Sequence, residues 1–127
     1  MRERTKADDI CPGAYNRALL DLILEPMRLA ARHAGYAITV HGSLNRDIDL
    51  VAIPWREHGV WEMDALVDAL VGAIRGVTGA CHKSASWTEK PHGRRARTLI
   101  VFCGMADAQL DLSIIPTRPE EKTHASD

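Results

Sequence analysis

His41-Gly42-Ser43-Leu44-Asn45-Arg46-Asp47-Ile48-Asp49-Leu50 joins two short runs of alternating character. Before it, Tyr36, Ile38 and Val40 alternate with Ala37, Thr39 and His41, the period of two that a half-buried strand requires. After it, Ile48, Leu50 and Ala52 would face one side of a second strand over 47–53, with Asp47, Asp49, Val51 and Ile53 on the other. Gly42-Ser43 ends the first run, and only Leu44, Asn45 and Arg46 then separate it from the second. So short a link cannot hold a crossover helix, and the spacing predicts an antiparallel hairpin.

Working outward, Leu19, Leu20, Ile23, Leu24, Met27, Ala30, Ala31 and Ala34 recur at helical spacing and predict a helix over roughly 13–34. Pro26 predicts a kink or restart within it, and Gly35 its end. Beyond Pro54, Met63, Leu66, Val67, Leu70, Val71 and Ile74 form a regular stripe of a second helix, with Arg75-Gly76 as its stop. Trp55 and Trp61 flank the entry to that helix and read as hydrophobic packing. Residues 78–96 are polar and show no period, so they read as a long connection. Strands are expected over 97–103 and 109–115, joined by a turn at 104–108. The order predicts an α+β fold, a mixed or antiparallel sheet of about four strands with two main helices on one face.

The length of 127 residues suits one domain over 1–127, and residues 116–127 read as a flexible tail without an apolar anchor. Hydrophobic residues at 46% and charged residues at 26% exclude wholesale disorder and fibrous chains. A net charge of −1 excludes a global basic field for nucleic acid, so any anion site must be local. No apolar run is long enough to span a bilayer and none follows the charged N-terminus, so no membrane partner and a cytoplasmic location are expected. Cys11, Cys81 and Cys103 fit reduced thiols, since Cys81-His82 with Cys103 lacks a fourth ligand at zinc spacing.

The acids are the anomaly. Asp47 and Asp49 leave one face of the same strand, their Cα atoms about 6.5 to 7 Å apart by the strand rise, and Asp111 interrupts the apolar residues Leu110, Leu112, Ile114 and Ile115. Like charges on a partly buried surface lose hydration and repel one another unless a proton or cation neutralises them. Hard oxygen donors favour Mg²⁺ or Mn²⁺, which typically bind one or two carboxylates together with substrate phosphates. Phosphoryl or nucleotidyl transfer is the matching chemistry. Taken singly, each acid has a plainer reading: Asp47 capping a turn, Asp49 facing solvent, Asp111 paired with an arginine. A surface of scattered charge for protein contacts is the corresponding whole-protein alternative, and it requires Asp111 to lie far from Asp47 and Asp49.

The segment His41 to Leu50 resembles the Gly-Ser and Asp-x-Asp signature of the DNA polymerase β-like nucleotidyltransferase superfamily, and Gln109-Leu110-Asp111-Leu112-Ser113 resembles its third-carboxylate strand. The chain is also similar to small phage- and prophage-encoded proteins that share the Gly-Ser-Leu, Asp-x-Asp-Leu and Lys-Pro-His-Gly-Arg stretches. The resemblance covers 36–53 and 99–115 and implies a minimal, single-domain nucleotidyltransferase fold. It implies that Gly42 and Ser43 contact a triphosphate, that Asp47, Asp49 and Asp111 hold Mg²⁺ or Mn²⁺, and that Asp111 also activates the attacking hydroxyl. A nucleoside triphosphate would donate NMP to a hydroxyl on a nucleic acid, protein or small molecule. Three residues stand between Gly-Ser and the acid pair, fewer than is usual in the superfamily. That departure raises a second expectation, a catalytically silent nucleotide- or nucleic-acid-binding module of the same fold.

Between 78 and 97 lie Lys83, Lys90, Arg94, Arg95 and Arg97 against a single acid, Glu89. Such a loop either clamps triphosphate oxygens or only solvates the surface. Lys90 and Arg94, with Arg46 from the hairpin, join Gly42 and Ser43 as the expected phosphate-binding residues. Trp87 either stacks on a base or anchors its loop to the core, and His41 either meets substrate or accepts a structural hydrogen bond.

Overall fold

A computed structural model describes residues 6–103 and 106–117; the 104–108 turn falls partly outside them and the expected tail almost wholly so. The first stripe lies on α1 (Lys6–Ala34), longer at its N-terminus than the apolar pattern suggests. Pro26 neither ends nor restarts it. The carbonyl deprived of a donor by Pro26 is that of Leu22, an exposed residue where water can take the place of the missing N–H. At the C-terminus, the Gly35 N–H donates to the Arg32 carbonyl (3.1 Å). Arg56 Nη2 donates to the carbonyls of Arg32 (2.8 Å) and His33 (2.5 Å), a cation at the negative end of the helix dipole.

The hairpin forms as β1 (Tyr36–His41) and β2 (Ile48–Pro54), antiparallel with Tyr36 opposite Pro54 and His41 opposite Asp49. The second stripe lies on α2 (Met63–Thr78). Its stop is Gly79 rather than Gly76: Gly79 takes a left-handed φ of 93° and donates to the Arg75 carbonyl (2.9 Å). Gly76 stays inside the helix on its exposed side, tolerated at about 1 kcal/mol relative to alanine.

The connection over 78–96 is not irregular. It contains β3 (Cys81–Lys83), β4 (Thr88–Glu89) and a 3₁₀ turn over Pro91–Gly93. Strands of three and two residues are too short to show a period, and they form because β5 (Arg95–Cys103) offers them one edge: Cys81 pairs with Val101, Thr88 with Ala96. With β6 (Ala106–Ile114) the sheet has six strands, two more than the pattern suggests, in the order β1-β2-β6-β5-β3, with β4 also on β5. All pairs are antiparallel except β2 with β6, which is parallel.

One sheet face carries Tyr36, Ile38, Ile48, Leu50, Ala52, Leu99, Val101, Ala108, Leu110, Leu112 and Ile114 into a single core against Ile23, Met27 and Ala31 of α1 and Leu66, Val67, Leu70 and Ile74 of α2. Each large aliphatic side chain buried there contributes roughly 1.5–3 kcal/mol. Both helices contact this face, so the opposite face is left uncovered by either. Trp55 and Trp61, expected in the packing, are instead 54% and 43% exposed. The Trp61 backbone N–H bonds the Ala34 carbonyl (2.9 Å) and Trp55 lies beside the Arg56 guanidinium, so both serve the α1 terminus rather than the core. Among the described residues no helix is long and apolar enough to cross a membrane.

Candidate active site

Strand pairing lines up four side chains across the open face. His41 stands opposite Asp49, Asp49 beside Asp111, and Asp111 opposite Thr98. The parallel β2–β6 ladder places the two acids on neighbouring strands, about 4.8 Å apart at the backbone. Thr98 Oγ1 donates to Asp111 Oδ1 (3.3 Å). Asp111 has no arginine partner among the described residues, and it lies beside Asp49, whereas the scattered-charge reading requires it to lie far away. Thr39 Oγ1 lies 2.9 Å from His41 Nε2, so this exposed imidazole is oriented by its strand neighbour at the end of the acid row.

Asp47 precedes β2, in a loop that α1 holds in place. Asn16, 3% exposed, donates through Nδ2 to the carbonyls of Leu44 (2.6 Å) and Arg46 (3.3 Å). Arg17 Nη2 donates to the Ser43 carbonyl (3.1 Å), and the Ser43 hydroxyl accepts from the Asn45 N–H (3.2 Å). Gly13 lets the loop approach the helix, because a Cβ there would stand 2.6 Å from Asn45 Oδ1. Sequence reasoning missed this clamp. Its signal was a polar Asn16 among the apolar residues of the first stripe, with a glycine one turn earlier.

Gly42 has a φ of 77°, and a Cβ on it would lie 3.0 Å from Asp49 Oδ2. The Asp49 carboxylate therefore leans toward the Gly-Ser turn, while Asp47 and Asp111 face each other. Burial holds the Asp47 carboxyl above the usual carboxylate range, Asp111 adds to this by its charge and by a hydrogen bond, and Arg46 opposes it. The native state thus binds the Asp47 proton more tightly than the unfolded chain does. Its contribution to stability is complete below the ordinary carboxyl pKa and is lost as pH rises through the raised native value. Chemical denaturation with chelator present is expected to show Asp47→Asn matching the parent near pH 4 and exceeding it in stability at pH 7. A constant difference across that range would show that Asp47 is not desolvated beside Asp111.

Two hollows meet at Asp49. One, of about 410 Å³, is lined by Ser43, Leu44, Asn45, Arg46, Asp47 and Asp49. The other, of about 460 Å³, runs over Asp49, Asp111, Thr98 and Ser113 to Lys90 and Arg94. The structure thus divides the expected phosphate contacts between two places: Ser43 and Arg46 in the first, Lys90 and Arg94 in the second. Trp87 takes the anchoring role. Its Nε1 donates to Asp64 Oδ1 (3.0 Å), and the Arg95 and Arg97 guanidinium groups lie 4.4 and 5.1 Å from its ring centre.

Among the described residues the non-glycine positions with left-handed φ are Leu44 (65°) and His92 (64°). Each belongs to one of the loops flanking the acid row. Strain of about 1–3 kcal/mol at such residues persists where the surroundings over-determine them, and it gathers at functional sites.

Among the described residues no three His, Cys, Asp or Glu side chains form a group placed to hold a metal ion. Burial pushes the Cys81 thiol up to about 11, as expected of an inert core thiol. The two facing carboxylates, Asp47 and Asp111, are oxygen donors of the hard type, and the proton affinity of Asp47 is raised by burial and then by Asp111. No protein-family model matches the chain, and none of the curated proteins does.

Proposed function

We propose that this chain is a minimal nucleotidyltransferase-like protein that binds a nucleoside triphosphate with Mg²⁺ or Mn²⁺ and transfers NMP to a hydroxyl. The observation that carries this reading is the juxtaposition of Asp49 with Asp111 on adjacent parallel strands, with Asp47 against Asp111 and the Gly42-Ser43 turn beside Asp49. Likeness of those residues to the polymerase β-like signature supplies the reaction class.

Gly42, having no side chain, lets backbone and the Ser43 hydroxyl approach phosphate oxygens, and Arg46 offers a guanidinium to the same hollow. The facing pair Asp47 and Asp111 would hold the cation, with Asp49 joining them only when its carboxylate swings away from the Gly-Ser turn; when bound the cation would supply charge neutralisation at the reacting phosphate. The acceptor oxygen forms a bond to the α-phosphorus, the α–β bridging bond breaks, pyrophosphate leaves, and Asp111 accepts the hydroxyl proton. Thr98 Oγ1 donates to Asp111 Oδ1 and so orients that carboxylate.

Incubation with α-labelled nucleotides and Mg²⁺ or Mn²⁺ is expected to label an acceptor, and Asp49→Asn to abolish the labelling. Persistent labelling in that variant would refute the assignment of the acids. A second reading, nucleotide or nucleic-acid binding without turnover, is favoured by the chain following Gly42-Ser43. It forms a tight loop and not a helix, so no helix N-terminus faces the phosphates there. That reading expects ligand-dependent stabilisation with no labelled product.

A further inference from the structure

Five cations lie between 83 and 97, and three of them are paired: Lys83 with Asp68 (2.7 Å), Arg95 with Glu89 (3.2 Å) and Arg97 with Asp64 (3.3 Å). Lys90, Arg94 and Arg97 line the groove over Asp49 and Asp111; of these, Arg97 is taken by Asp64, and Lys90 and Arg94 have no carboxylate partner among the described residues. The turn that bears them is closed on itself. The Lys90 N–H donates to the Arg94 carbonyl (2.9 Å), and Arg94 Nε to the Pro91 carbonyl (3.3 Å). Pro91 fixes its own φ, while His92 and Gly93 both adopt left-handed values of 64° and 76°. Gly93 packs beneath Pro116, whose Cγ would lie 3.4 Å from a Cβ at that position. The backbone that bears both cations, and the Arg94 guanidinium, are therefore fixed before any ligand arrives, which lowers the ordering cost of binding an anion.

Five hydroxyl side chains, Ser84, Ser86, Thr88, Thr98 and Ser113, share the rest of the lining with Leu50, Val51, Ala96 and Arg97. Its volume of about 460 Å³ suits a small polar molecule. Among the described residues no aromatic side chain lines it, and Trp87 is engaged by Asp64, Arg95 and Arg97, whereas single-stranded nucleic acid is ordinarily held by stacked aromatics along a basic track. The Gly-Ser hollow and this groove meet at Asp49, with Asp47 lining the first and Asp111 the second.

We infer that Lys90 and Arg94 form a second anion site, and that it takes the acceptor, a small phosphate ester with a free hydroxyl, of about the size of a sugar phosphate. The phosphate meets the two cations, the hydroxyl-lined floor receives the polyol, and a hydroxyl points toward Asp111. The acceptor role rests on the transferase reading; the anion site does not.

Calorimetric titration of inorganic phosphate and ribose 5-phosphate into the full chain, without nucleotide, tests the inference. Both probes are expected to bind, ribose 5-phosphate more tightly. Lys90→Ala and Arg94→Ala are each expected to weaken binding by about tenfold or more, the loss of one charge-assisted contact. Arg94→Lys, which keeps the charge but not the fork, should fall between, and it serves if Arg94→Ala does not fold. ATP binding with Mg²⁺ is expected to survive in all three variants. Absence of probe binding by the folded parent, or equal binding by the variants, would overturn the site. Loss of ATP affinity instead of probe affinity would assign the cations to the donor and overturn the inference. A 3′-hydroxyl oligonucleotide that binds more tightly than ribose 5-phosphate, and depends on Lys90, would also overturn it. Probe binding that depends on both cations, in a protein that transfers no nucleotide, supports the anion site and overturns the transferase reading alone.

Discussion

Asp111→Asn is expected to lower nucleotide transfer by about 10²- to 10³-fold, the cost of deleting one pre-positioned electrostatic group, while leaving the protein at least as stable as the parent. The two effects have one cause. Asp111 faces Asp47, whose proton affinity is raised by burial and by that neighbour, so the pair costs folding energy at neutral pH. An asparagine at the position is neutral and still accepts the hydrogen bond from Thr98. Removing a destabilising functional charge commonly gains up to about 1–2 kcal/mol. Mg²⁺ is expected to stabilise the parent and to have a smaller effect on the variant. Thermal unfolding and product labelling measured side by side decide the matter. Full transfer by Asp111→Asn removes it from the chemistry, and loss of transfer together with loss of stability would make its role structural.

Asn16→Ala is expected to destabilise the protein by about 2–4 kcal/mol, because it leaves two loop carbonyls without their donor and opens space in a packed helix–loop contact. Asn16 is the polar residue among the buried side chains described, and its bonds to Leu44 and Arg46 hold the segment between Gly42 and Asp47. Leu44 keeps a left-handed conformation in that segment, so relief of strain should partly offset the loss. Asn16→Asp tests the cause, since a carboxylate can donate to neither carbonyl and adds a charge near Asp47. A stability change below about 1 kcal/mol for Asn16→Ala would mean the loop is held by Arg17 and the Gly13 contact instead. Asn16 is a positioning residue, and its loss should lower binding of triphosphate before it lowers the turnover of what is bound.

Much of the architecture follows from local pattern. Alternation at 36–41 and 47–53 separates a core face from an open one, and that alone predicts Asp47 and Asp49 on the open side. The stripe from Met63 to Ile74 places α2 without ambiguity. Local pattern errs where an element is too short or too dependent on a partner to carry a period. β3 and β4 exist because β5 has a free edge, and Gly79, not Gly76, takes the left-handed turn that ends α2.

The chain order contains everything needed to anticipate that acids occur on strands facing away from the core, because side-chain direction in a strand is a matter of counting by two. It does not contain which strand lies beside which. Ladder hydrogen bonds are made by the backbone and are alike for every sequence, so the parallel docking of β6 on β2 is chosen by how the whole core packs. That choice puts Asp111 beside Asp49, sends Lys90 and Arg94 to the rim of the same groove, and brings Asn16 beneath a loop 28 residues further along the chain.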